Sequence, residues 1–138
     1  MHALEQARRI LDAAGMLIDL RPRVEGSSIK VISRREEVHI GEARATPTEA
    51  EQDRSADQAL QEAARLGWFV CEHVDEFVYR YSWSTPTEMQ SHVEQEWDDS
   101  MSIEDGLWQA LRGSWAVADA DAKPHLLLRM TVSRWRRT

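Results

Sequence analysis

Apolar residues return at helical spacing near the start of the chain. Leu4, Ala7, Ile10, Leu11 and Ala14 share one face and predict a first helix. Gly15 follows where a left-handed residue ends a helix at little cost. Residues 16–20 then read as a short buried strand, and Pro22 with Gly26-Ser27-Ser28 as a loop. Residues 29–33 and 38–40 predict two strands joined by the charged turn Arg34-Arg35-Glu36-Glu37.

Three later helices announce their starts. Thr46-Pro47-Thr48-Glu49 and Thr85-Pro86-Thr87-Glu88 each offer a threonine N-cap, proline at the first helical position and glutamate at the third. Ser102-Ile103-Glu104-Asp105 is a weaker version of the same device. The first of these helices runs to Leu66 and ends at Gly67. Its apolar side is mostly alanine (Ala56, Ala59, Ala63, Ala64) with Leu60, which suits close packing on a sheet. The second lines up Met89, Val93 and Trp97, and the third Ile103, Leu107, Leu111 and Trp115.

Between Gly67 and Ser84 lies a long strand signal. One face carries Phe69, Cys71, His73, Phe77, Tyr79, Tyr81 and Trp83, and the acids Asp75-Glu76 predict a bulge or a tight turn. Residues 125–135 give a last strand with Leu126, Leu128, Met130 and Val132 on one side. The predicted order is α-β-β-β-α-β-α-α-β. It implies an α+β (or partial α/β) fold, with a single mostly continuous sheet of five to six strands against three to four helices.

The length of 138 residues fits a single domain, 1–138. A hydrophobic fraction of 42% with 30% charged residues is that of a folded globular chain, and no apolar run reaches bilayer length. Six tryptophans are several times the common rate for such a chain. One cysteine excludes an internal disulfide and a multi-cysteine zinc site, so a cytoplasmic protein is expected, with no secretory signal at its start. The net charge of −7 argues against nucleic acid. It is unevenly spread, at +3 over residues 1–35, −15 over 36–122 and +5 over 123–138.

The run Ala7-Arg8-Arg9-Ile10-Leu11, then Ala13-Ala14-Gly15 and Met16-Leu17-Ile18-Asp19, resembles the helix and strand midway through class I S-adenosylmethionine-dependent methyltransferases. The resemblance implies a later half of such a fold, standing without its cofactor-binding half. That half needs a glycine-rich loop after the first strand. Here Gly15, Gly26, Gly41, Gly67, Gly106 and Gly113 are dispersed, so no cofactor and no cofactor-binding residue is expected.

Candidate chemistry is sparse. Asp19 and Arg21 close the 16–20 strand, where open α/β sheets place ligands, and Arg21 suits a carboxylate or phosphate. A strand-end salt bridge explains the same pair. Arg54 and Asp57, with Asp53, sit one turn apart on an alanine-lined helix. They are either a solvated charge cluster or the polar wall of a cavity. Tyr79, Tyr81, Trp83 and Trp97 predict an aromatic group at one end of the sheet, serving core, interface or pocket. Cys71 and His73 share a face without a third ligand. No metal site follows from them, burial of the cysteine is expected, and no catalytic residue emerges.

Two functions stay open. The first is a non-catalytic interaction module, most simply a homodimer or one half of a complex with a protein partner, off membranes and off nucleic acid. The alternative is a domain or enzyme for a small anionic or aromatic ligand, including a split or truncated methyltransferase.

Overall fold

A computed structural model describes every residue from Met1 to Thr138. Its helices are α1 (His2–Ile10), α2 (Pro47–Arg65), α3 (Pro86–Glu96) and α4 (Asp105–Ala116). Its strands are β1 (Met16–Ile32), β2 (Glu37–Ala45), β3 (Phe69–Ser82), β4 (Met101–Ser102) and β5 (Lys123–Arg137). The strands form one antiparallel sheet in the order β3-β5-β1-β2-β4, so the fold is α+β. No helix is long and apolar enough to cross a membrane.

The chain divides into two compact units. One comprises Met1–Pro22, Ala50–Phe77 and Met130–Thr138, the other Arg23–Glu49 and Val78–Arg129. The strands β1, β3 and β5 each contribute residues to both.

In the first unit, α2 ends as the sequence requires. Gly67 takes φ +72°, its N–H donates to the Ala64 carbonyl, and the Trp68 N–H reaches the Ala63 carbonyl. This closes the helix's orphan carbonyls and turns Trp68 onto the apolar cluster. Leu60, Ala63, Phe69 and Trp135 form that cluster, with Leu4, Ala7, Leu11, Leu17 and Trp68 packed against it. The Trp135 indole N–H is satisfied by Ser133 Oγ at 2.8 Å.

Three expectations fail in this unit. The first helix stops at Ile10, which is 81% exposed, and Ala14 rather than Gly15 takes the left-handed conformation at φ 64°. Gly15 is instead needed for room, because a Cβ there would stand 2.9 Å from the Asp12 carbonyl oxygen. Residues 16–20 are not a buried strand, since Met16, Ile18 and Leu20 are all exposed. An apolar run buries both faces only if both are covered. Here the alternating burial from Met16 to Leu20 records cover on one side.

In the second unit, Ser27, Ile29, Val31, Ala43, Leu126 and Leu128 are buried, as are Met89, Val93, Trp108 and Leu111 of α3 and α4. Strands β1 and β2 pair from Ser27↔Ala43 to Ile32↔Glu37, with a register shift between Ile29 and Lys30. The loop expected at Gly26-Ser27-Ser28 is strand. Gly26 adopts φ +79°, so the chain bends there without leaving the sheet, and the predicted 16–20 and 29–33 strands are parts of one. Helix α4 lies close on β2. A Cβ at Gly41 would fall 2.5 Å from Leu107 Cδ2.

Both threonine caps form. Thr46 Oγ1 accepts the Glu49 N–H, and Thr85 Oγ1 the Glu88 N–H, each at 3.2 Å. Glu88 reaches back to the Ser84 N–H at 3.1 Å. The third cap does not form. Ser102 belongs to β4, paired with Arg44, and α4 starts after Glu104 without a side-chain cap.

Candidate functional site

Arg21 is the most heavily engaged side chain of the first unit. Strand β1 brings it beside Asp19, and α2 presents Asp53 and Asp57 one turn apart. The guanidinium lies 2.9 Å from Asp19, 2.6 Å from Asp57 and 3.6 Å from Asp53. It also donates to the Asp53 carbonyl at 3.2 Å. Burial works against its charge, but the hydrogen bonds it donates to Asp19 and Asp57 and their negative charge outweigh it and raise its pKa.

This arrangement has a chemical consequence. An arginine that grips an external carboxylate or phosphate must have N–H groups to offer. Here three carboxylates of the chain itself surround the guanidinium, and an incoming anion meets their negative field. The strand-end salt bridge is the reading the geometry supports. Arg54 does not join the group. It pairs with Glu51 at 2.6 Å on an exposed helix face, next to Asp53 in sequence but outside the cluster. The sequence placed both Asp53 and Asp57 on the helix without tying either to Arg21.

The aromatic group belongs to the second unit. Tyr81 packs against Tyr79 and Trp97 with centroids 4.8 Å apart, and Trp83 lies 6.1 Å from Tyr81 and from Trp97. His92 completes it, 4.6 Å from Trp97 and accepting the Trp83 indole N–H at its Nδ1, 2.9 Å away. All four predicted aromatics therefore meet, and the missed member is a histidine whose helical position, three residues after Met89, gave no sign of a partner on a strand.

Edge-to-face and stacked contacts at these distances fill the ring faces with one another. A pocket for an aromatic or cationic ligand needs rings held apart around a gap. The depression beside them, lined by Glu88, Ser91, His92, Gln95, Glu96 and Trp97, is shallow and open.

Cys71 departs from expectation by being exposed. Its sulfur lies 3.9 Å from the His73 carbonyl, and the His73 imidazole faces Asp75 at 4.0 Å. Thiol and imidazole are thus not joined as nucleophile and base. No group of three or more His, Cys, Asp or Glu side chains is placed to hold a metal ion.

The same strand holds the feature that sequence reasoning missed. Strand β3 is outermost in the sheet, and residues 70–80 are exposed without interruption. Its alternation of apolar and polar positions gave no warning, because a strand's pattern reports which residues share a face and not whether anything covers it.

No family model, curated protein or solved structure matches this chain.

Proposed function

We propose that the protein is a non-catalytic assembly module that pairs with a second copy of itself through β3 and the open sheet face of the first unit. One observation carries this reading. Of the twelve exposed large hydrophobic side chains, nine lie in the first unit, and Val70 and Val74, on one face of β3, stand with Met16, Ile18 and Leu20 of β1 among them. Singly exposed apolar residues are ordinary, but such a concentration on strands marks a surface that another molecule covers.

An outermost strand adds a second support, since its outward N–H and C=O groups template pairing with another chain. The polar groups offered by the sequence for ligand binding are engaged within the chain, as Arg21 and Trp83 illustrate. Light scattering coupled to size exclusion tests the proposal. A dimer of about twice the 15.9 kDa chain mass is expected at micromolar concentration. A monomer throughout that range overturns it.

A further inference from the structure

We infer that α1 changes hands between two copies of the chain, each copy's helix covering the apolar cluster of the other. The inference goes beyond the pairing proposed above: it concerns the helix-covered side of the first unit, not β3 or the open sheet face.

Helix α1 is held lightly. None of its residues is buried, and no side chain caps its N-terminus. Leu4 and Ala7, with Leu11 just after the helix, pack against the cluster of Leu60, Ala63, Phe69 and Trp135. The Arg8 guanidinium lies over the Trp68 ring, 5.5 Å from its centroid, while its Nε is buried with no hydrogen-bond partner. That unmet donor offsets part of what the ring contact contributes. A helix of 9 residues is also shorter than the about 12–15 residues at which isolated helices become even marginal. So α1 needs an apolar groove to remain a helix, and every copy of the chain offers the same one.

The connection to β1 decides which groove it takes. Within one chain, residues 11–15 turn back tightly. The Gly15 N–H donates to the Asp12 carbonyl at 2.8 Å, and Ala14 is held at φ 64°. A side chain disfavours this left-handed conformation, and Ala14 is the only non-glycine residue of the chain to adopt a positive φ. Straightened, residues 11–15 reach about 17 Å, more than the ~10 Å width of a helix, and Ala14 relaxes to extended backbone.

Exchange keeps every contact of α1. The cluster, Trp68 and Arg137, whose guanidinium donates to the Leu11 carbonyl, are the same in both copies. What changes is the hinge, relieved twice in each dimer and opposed by the entropy of association. Short hinges under strain invite such exchange, and concentration favours it.

Hinge variants test the inference in an Ile18→Asp background. Ile18 is exposed on the side of β1 away from the cluster, so this change removes the sheet-face contact and leaves the groove intact. Ala14→Pro fixes φ near −65° and forbids the closed turn, whereas Ala14→Gly adopts the positive φ freely. Sedimentation equilibrium should show the proline variant associating at least about tenfold more tightly than the glycine variant. Adding Leu4→Glu to the proline variant takes away the helix's grip on the cluster and should return it to monomer. A proline variant no tighter than the glycine variant overturns the exchange, as does a proline dimer that survives Leu4→Glu. Sheet-face pairing is read separately, on the chain with Ile18 in place, and a monomer there overturns that reading and not this one.

Discussion

The two units treat their apolar residues in opposite ways. Of sixteen buried hydrophobic side chains, twelve belong to the second unit and four to the first. Among exposed large hydrophobics the proportion reverses, with nine in the first unit and three in the second. In the second unit α3 and α4 supply Met89, Val93, Trp108 and Leu111 to its core, whereas α2 offers the first unit's cluster little beyond Leu60 and Ala63. Alanine permits close approach but removes little apolar area from water. The contrast teaches where the chain leaves apolar surface open: in the unit that covers itself least.

Matched truncations would break this contrast most directly. Leu126, fully buried on β5 in the second unit, should lose about 2–5 kcal/mol on Leu126→Ala in urea unfolding. Leu17→Ala removes a half-buried side chain of the first unit and should cost about 1 kcal/mol. Equal losses would mean that the first unit is as tightly packed as the second.

The next effect sharpens the account of what holds the first unit together. Arg21→Met takes away the cation that Asp19, Asp53 and Asp57 share. The cluster is partly open to water, so screening limits the loss to about 1–2 kcal/mol. Arg54→Met, on an exposed helix face, should change stability by less than about 0.5 kcal/mol. A larger cost at Arg54 than at Arg21 would reverse their assignment.

The smallest effect lies in the second unit and is read as a pH dependence. Burial first, then the charge of Arg80, pushes the His125 imidazole below its ordinary 6.5, with Lys123 adding to the shift and Glu37 opposing it. The folded chain therefore takes up this proton less readily than the unfolded chain. The stability linked to His125 is present in full above about pH 6.5 and is lost as pH falls through the lowered pKa. Thermal unfolding of His125→Gln should show a flatter dependence over that interval. An unchanged slope would assign the dependence to other groups.

Much of the fold was legible in the chain, and particular residues show why. Thr46, Thr85 and Gly67 act through atoms within a few positions of themselves, so their sequence context carries the whole cause. Ser102 had the same local credentials and failed as a cap, because pairing with Arg44 claimed its backbone for a strand. Gly26 reads as a turn residue, yet the sheet takes it in as a bend. Of the candidate site, Asp19, Arg21 and Asp57 do come together, and so do Tyr79, Tyr81, Trp83 and Trp97. Arg54 stays apart, since neighbours on a helix point in different directions.

By itself, then, the sequence determined the major helices, the two threonine caps, the stop at Gly67 and the faces on which side chains gather, because each depends on contacts between near neighbours. Tertiary structure alone decided which of those faces are covered. Met16-Leu17-Ile18 spells a buried strand in any local reading, and Phe77-Val78-Tyr79 a strand like any other. Only the order β3-β5-β1-β2-β4, which leaves β3 outermost, and helices that cover one face of β1 in the first unit leave Met16, Ile18 and Phe77-Val78-Tyr79 exposed. Burial is a property of the neighbours that the fold supplies, and those neighbours are distant along the chain.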